Sequence, residues 1–374
     1  MRIALDAKRA FLNRTGLGNY SRAIIKGLIE SDDSDLLYLC TPKLSEQFKL
    51  DNRFKLIQPE TTLARKLSSL WRSRWVTKQL RANNIDIYHG LSNELPFGIE
   101  NTGIRTVVTI HDLIFLRYPE FYPVVDRKIY IKKVEHACKV ADRIITISQQ
   151  TKDDLISLLN VDSSKIDVIY QTCHERFSKH VSDADKKSVG TKYNLPENFI
   201  LSVGTIEKRK NHQQIIKALA ELKDSDLSLV IVGRQTNYTS ELHELCKSLG
   251  VESQVNFLSD VSHEDLPAIY QQAKLFVYTS LYEGFGIPVL EALKSKIPVV
   301  TSRGGCLEEV GGSQSLYVDP SNAGELAEAI QRILNDEGLV SEMVEDGKRH
   351  AEQFSVENMI NGVQESYNRA MEHN

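Results

Sequence analysis

Short apolar runs separated by longer amphipathic stretches recur along the chain. The runs at 3–7, 85–89, 106–111, 143–148 and 165–170 are rich in Ile, Val and Leu and read as strands. Residues 20–30, 124–141 and 151–159 carry the mixed pattern of helices with one buried face. Near-continuous apolar strands alternating with such helices predict a parallel sheet covered on both faces. The rhythm breaks over a polar stretch at 171–198 and then restarts. Strands are expected at 199–203, 227–232, 255–258, 275–279, 298–301 and 315–318. Helices are expected at 211–222, 239–249, 288–294 and 323–335, the first with Ile215, Leu219 and Leu222 on one face. A last helix is expected at 356–371. The fold class is therefore α/β, two doubly wound Rossmann-like domains facing across a cleft. Ligands in such sheets bind at the carboxyl ends of strands. The expected domains are 1–175, 176–355 and a closing helix within 356–374 that packs back on the first domain.

A length of 374 residues agrees with two cores rather than one. The net charge of −4 argues against general nucleic-acid binding. It conceals an asymmetry: residues 1–175 sum to +5 and the remainder to −9. A basic half suits an anionic acceptor or a membrane surface. The five cysteines are odd in number and widely spaced, which fits neither a disulfide framework nor a zinc site and points to a reducing cytoplasm. The apolar run at the N-terminus is too short for a signal peptide, and no window approaches the length of a spanning helix. Membrane contact is thus expected to be peripheral, at the inner face.

The strongest chemical signal is Glu283-Gly284-Phe285-Gly286-Ile287-Pro288-Val289-Leu290-Glu291. It follows an expected strand and opens a helix, with Pro288 suited to the first turn. Gly284 and Gly286 allow close backbone approach. The N–H groups of Phe285, Gly286 and Ile287 are expected to face outward with the helix dipole behind them, a place for phosphate or sugar oxygens. Glu291 is expected in the first helical turn and Glu283 on the strand side. Both carboxylates suit the vicinal diols of a ribose and a hexose. A second signal, Val203-Gly204-Thr205-Ile206-Glu207-Lys208-Arg209-Lys210-Asn211, runs from strand to helix. Asn211 is read as the helix cap, which sets Arg209 and Lys210 beside a helix N-terminus, where they can hold a departing diphosphate.

The E-x7-E spacing of Glu283 and Glu291, with the segments Gly-Phe-Gly-Ile-Pro and Pro-Val-Val-Thr-Ser-Arg-Gly-Gly, resembles glycosyltransferase family 4. That is a retaining family with the glycosyltransferase-B fold, and the resemblance covers nearly the whole chain. It implies that Glu291 binds the donor ribose, Glu283 the transferred sugar, and Lys210 with Arg209 the diphosphate. Phe285, Gly286 and Ile287 would meet sugar and phosphate through backbone groups. Many relatives carry Arg where this chain has Thr205, which shifts more of the anion binding onto Arg209 and Lys210. Backbone near Gly233–Arg234 and Leu258–Asp260 would read the base.

Three further segments bear on function. The turn Arg14-Thr15-Gly16-Leu17-Gly18-Asn19 is placed between the first strand and first helix. Gly16 and Gly18 are its candidates for donor phosphate, against a plain tight turn. His111 closes a strand and is expected to project into the cleft as the family's active-site His, with Asp112 orienting it or capping the next segment. Residues 61–81 hold Arg65, Lys66, Arg72, Arg74, Lys78 and Arg81 with no acid, interleaved with Leu63, Leu67, Leu70, Trp71 and Trp75. They read as a helix on an anionic membrane or as a domain helix with solvated charges, and the two are compatible.

The reading is a glycosyltransferase with a nucleoside-diphosphate sugar as co-substrate, best GDP-mannose, and a glycan or lipid-linked saccharide acceptor. No metal is expected, since no Asp-x-Asp pair lies in a fitting place. A UDP-sugar enzyme, a sugar-nucleotide epimerase and a non-catalytic sugar-binding protein are the alternatives.

Overall fold

The computed structural model describes every residue except 32–34, 47, 50, 223, 225, 373 and 374. The chain forms two compact units, Met1–Thr172 together with Phe354–Asn374, and Cys173–Gln353.

The first unit is built on seven parallel strands: β1 Arg2–Asp6, β2 Leu36–Cys40, β3 Lys55–Ile57, β4 Ile87–Gly90, β5 Arg105–Ile110, β6 Arg143–Thr146 and β7 Ile166–Val168. Their spatial order is β3-β2-β1-β4-β5-β6-β7. The second unit has six: β8 Phe199–Val203, β9 Ser228–Val232, β10 Val255–Leu258, β11 Leu275–Tyr278, β12 Val299–Ser302 and β13 Leu316–Val318, in the order β10-β9-β8-β11-β12-β13. Strand order reverses between β1 and β4 in one sheet and between β8 and β11 in the other. These switch points are where connections leave in opposite directions and open a crevice.

Both sheets are buried on both faces, which is why their strands read as unbroken apolar runs. The helix Gly16–Glu30 shows how they are covered. It buries Ile24, Ile25 and Leu28, worth about 1.5–3 kcal/mol each. Its Gly27 admits the closing helix Val356–Glu372: a Cβ there would lie 2.4 Å from Ile360 Cγ1. That helix is anchored in the first unit by the Tyr367 hydroxyl on His89 Nδ1 (2.7 Å) and by Ser366 Oγ donating to Asp167 (2.8 Å).

Several elements depart from expectation. Strands β2 and β3 were not expected; β3 has only three residues, too few to show a period. The polar stretch at 171–198 contains a helix, Asp183–Tyr193, capped by Ser182, whose hydroxyl accepts from the Asp185 amide. It buries only Val189, so it shows no apolar stripe. Helices Cys306–Gly311 and Glu337–Ala351 are likewise additions.

Candidate functional site

The second sheet's switch point gathers the strongest sequence signals. Strand β8 ends at Val203, and the chain turns through Gly204, Thr205 and Ile206 into a short 3-10 segment, Lys208–Lys210. Asn211 adopts a left-handed conformation (φ 58°) and is buried. It is not a side-chain cap: its amide donates to the carbonyls of Thr279 (3.2 Å) and Pro320 (2.6 Å). That anchor ties the basic doublet to the end of β11. Arg209 NH1 and Lys210 Nζ then both reach Glu283 Oε1, at 2.8 and 2.6 Å. Ser280 Oγ (2.6 Å) and the Tyr278 hydroxyl (2.9 Å) donate to the same oxygen. Arg209 also donates to the Tyr282 carbonyl (2.6 Å) and to Glu207 (2.7 Å).

Burial alone would raise the Glu283 carboxyl, but Lys210 and Arg209 outweigh it and hold it at about 2. The carboxylate is therefore ionised throughout the physiological range. Two cations, Arg209 and Lys210, and two carboxylates, Glu283 and the half-buried Glu207, form a preorganised cluster whose cations can meet a diphosphate once the carboxylates release them.

Glu291 sits at the fifth position of the helix Ile287–Lys294, just past the first turn in which it was expected. Its carboxylate accepts from the Tyr270 hydroxyl (2.9 Å) and belongs to a hydrogen-bond set of its own. Burial pushes its pKa up to about 7, against the Tyr270 hydrogen bond and the charge of Arg176. Tyr270 packs on Phe276 and Phe276 on Tyr278, with ring centroids 5.4 and 5.9 Å apart. An aromatic row thus runs between the two glutamates. Gly284 and Ile287 are half-buried, Phe285 and Gly286 buried. Gly286 has φ 123°, a conformation that favours glycine, and a Cβ there would also press on Leu307 Cδ2 at 2.9 Å. The carboxyl edges of β8, β9 and β10 are laced by Gly204 N–H donating to Val232 O and Gly233 N–H to Leu258 O, both 2.9 Å. A Cβ on Gly233 would lie 1.8 Å from the Gly204 carbonyl oxygen. Thr205 stands half-buried beside this edge.

In the first unit, Gly16 and Gly18 are not in a loop. A short helix, Lys8–Leu12, follows β1, and both glycines lie in the first turn of Gly16–Glu30. Asn13 caps that turn, its Oδ1 accepting from the amides of Thr15 (2.9 Å) and Gly18 (3.1 Å). A Cβ on Gly18 would lie 1.9 Å from the Asn13 carbonyl oxygen, so packing explains Gly18, whereas Gly16 is open. His111 directly follows β5 but is 5% exposed rather than projecting freely. Its Nε2 donates to the Leu91 carbonyl (2.9 Å), and Tyr20 packs edge-on against the ring. Burial lowers its pKa to about 4, with Arg9 adding to the effect. The neutral imidazole consequently has Nδ1 as an acceptor. Asp112 caps the next segment through the Ile114 amide (3.1 Å).

Residues 61–81 divide between their two readings. Trp71 is buried, with Nε1 on Gln79 (2.7 Å), and Trp75 packs on the core. Arg72 is no solvated charge: within a π-helical turn, Trp71–Trp75, it points inward onto Asp6 (2.8 Å from Nε). Leu63, Leu67 and Leu70 are exposed along one face.

Sequence reading missed Tyr278, Ser280, Glu207 and Tyr270. The first two end and follow a strand, a position that could have marked them. Glu207 lay inside the quoted motif, and Tyr270 carries no local signal. Among the described residues no group of three or more His, Cys, Asp or Glu side chains is placed to hold a metal ion, and no helix is long and apolar enough to cross a membrane.

Solved structures share this pair of parallel-sheet units. HepE of Anabaena, in complex with UDP and glucose, superposes with a TM-score of 0.77 over 98% of this chain and 99% of its own, at 19% identity. A glycosyltransferase from Rickettsia africae gives 0.78 over 100% and 99%, also at 19%. The fold is that of the glycosyltransferase-B class. Residues 14–173 match the model of Glycosyltransferase Family 4, and residues 183–350 that of Glycosyl transferases group 1. O-antigen chain mannosyltransferase B of Escherichia coli is 31% identical over 92% of this chain and 93% of its own length. O-antigen chain mannosyltransferase RfbU of Salmonella typhimurium is 33% identical over 60% of each. The chain belongs to glycosyltransferase family 4 and is a glycosyltransferase.

Proposed function

We propose that the chain is a retaining mannosyltransferase that moves mannose from GDP-mannose to a glycan or lipid-linked saccharide in cell-surface polysaccharide synthesis. The names of the two O-antigen mannosyltransferases support the sugar and the pathway class. One observation supports the donor site above others: Arg209 and Lys210 converge on Glu283 at the second switch point.

In this reading the donor diphosphate takes the two cations, and Glu283, ionised and freed from them, accepts hydroxyls of the transferred sugar. Glu291 accepts the ribose hydroxyls, with Gly204, Thr205, Gly233 and Leu258 lining the nucleotide side. Backbone of Gly284, Phe285, Gly286 and Ile287 meets sugar and phosphate, and Gly16 is a further candidate for the donor phosphate. His111 contacts the transferred sugar through its neutral ring. The acceptor oxygen attacks the anomeric carbon on the face from which the diphosphate leaves. Its proton passes to the departing diphosphate oxygen, and no sugar–enzyme bond forms. The protein supplies position and charge stabilisation. Arg209 and Lys210 meet the leaving charge without a divalent ion, at the cytoplasmic membrane face.

Thermal-shift titration with GDP-mannose, UDP-glucose and ADP-glucose, followed by anomeric proton NMR of the product, tests this. GDP-mannose should give the largest shift, and an α-linked product should form in EDTA. A β-linked product, or a strict requirement for added Mg²⁺ or Mn²⁺, overturns the mechanism. The second reading, a UDP-hexose donor, draws on HepE with its bound UDP and glucose, and would win if the UDP-sugar shifted most.

A further inference from the structure

The first sheet's switch point carries a charge cluster that the donor site does not use. Asp6, the last residue of β1, accepts from Arg72. Arg72 also pairs with Glu94, in the segment after β4, and Lys133 Nζ lies 2.6 Å from the other oxygen of Glu94. Two cations and two carboxylates are thereby matched. Lys8 and Arg9 enter the same neighbourhood from just beyond β1 and are left over. Among the described residues neither side chain has an ion pair or hydrogen bond, and Arg9 Nε is buried without a partner. Burial and then Arg72 destabilise the charge on each, and the charge of Arg9 also acts on Lys133 and His111. Asp6 offsets this in part, but it is already engaged by Arg72, and half-buried cations without an ion pair of their own are unfavourable unless a ligand brings a counter-charge.

We infer that Lys8 and Arg9, backed by Lys133, form a binding site for a phosphate or diphosphate group at the β1/β4 switch point. Two unmatched positive charges suit a phosphate dianion, and an arginine beside a lysine offers both a planar fork and a point charge. The group belongs to the acceptor, which is then a phosphate- or diphosphate-linked saccharide. Only this last assignment rests on the proposed transfer reaction; the anion site stands without it.

Pyrophosphate binding to the full chain by isothermal titration calorimetry tests the site. Arg9→Gln with Lys8→Gln should weaken one binding event at least tenfold while the melting temperature holds or rises, because repulsion is relieved. Arg9→Lys should retain binding within a fewfold. Arg209→Gln, in the second unit, should leave this event in place, so failure of the donor reading is recognised separately. In transfer assays the double variant should raise KM at least tenfold for a diphosphate-linked saccharide and leave it unchanged for the same saccharide without phosphate. Pyrophosphate affinity within twofold of the parent in the double variant overturns the site. An equal KM rise for both saccharides overturns its assignment to the acceptor.

Discussion

The two switch points of this molecule are assembled from the same side-chain types, yet they balance charge differently. In the second sheet Arg209 and Lys210 share the carboxylate Glu283 and Arg209 also meets Glu207, so both cations are held in place by carboxylates. In the first, Arg72 and Lys133 are matched by Asp6 and Glu94, while Lys8 and Arg9 stay unmatched. The first arrangement keeps the Glu283 carboxylate ionised. The second engages its carboxylates with Arg72 and Lys133 and leaves Lys8 and Arg9 without an ion pair. Identical residue types therefore come to different charge environments by what else the sheet brings within reach.

The comparison breaks first at Asp6. Asp6→Asn leaves buried Arg72 with one carboxylate and should destabilise the protein by about 3–5 kcal/mol. Urea unfolding showing under 1 kcal/mol would mean that the matched pair is not structural. Next, Lys210→Gln should lower kcat by about 10²–10³, as for loss of one preorganised donor to developing charge. Folding should change far less, which far-UV circular dichroism and the melting temperature can check, because Arg209 and Ser280 still hold Glu283. Gly18→Ala and Gly233→Ala, one beside each switch point, should each cost about 1–3 kcal/mol of stability through backbone crowding. Gly16→Ala, whose Cβ meets nothing within 4 Å, should be neutral or stabilising by up to about 1 kcal/mol.

The smaller effects lie in protonation and at the surface. Glu291, raised to about 7 by burial, binds ribose hydroxyls best when ionised. Donor affinity should therefore fall as pH drops below about 7, by up to about tenfold per unit. The sign for stability is opposite. A raised folded-state pKa contributes stability present below the ordinary value of 4.5 and lost as pH rises through about 7. Glu291→Gln should flatten both profiles; a pH-independent donor Kd in the parent would remove the ribose role. Finally, serine at Leu63, Leu67 and Leu70 should change stability by no more than about 0.5 kcal/mol. It should still reduce co-sedimentation with phosphatidylglycerol vesicles, and unchanged sedimentation would leave these leucines without a membrane role.

Much of the architecture was legible because parallel strands buried on both faces have a plain hydrophobic signature. Strands β8 and β10 were placed to the residue, and the glycine-flanked segment around Glu283 was found from its position between strand and helix. What escaped notice had no local signal. The helix at Asp183–Tyr193 shows no apolar stripe, β3 is too short for one, and Gly18 looked like a turn because Asn13 does the capping. Arg72 could not be told from its solvated neighbours, since its partner Asp6 lies sixty-six residues away.

By itself the sequence determined the α/β class, the two sheets and where the glycine-flanked segments between strand and helix lie, because hydrophobic period and glycine placement act over a few residues. The tertiary structure alone decided which charges meet. Coulomb energy depends on distance and burial, and only the folded sheets set Glu283 against Arg209 and Lys210, turned Arg72 inward onto Asp6, and left Lys8 and Arg9 without a partner.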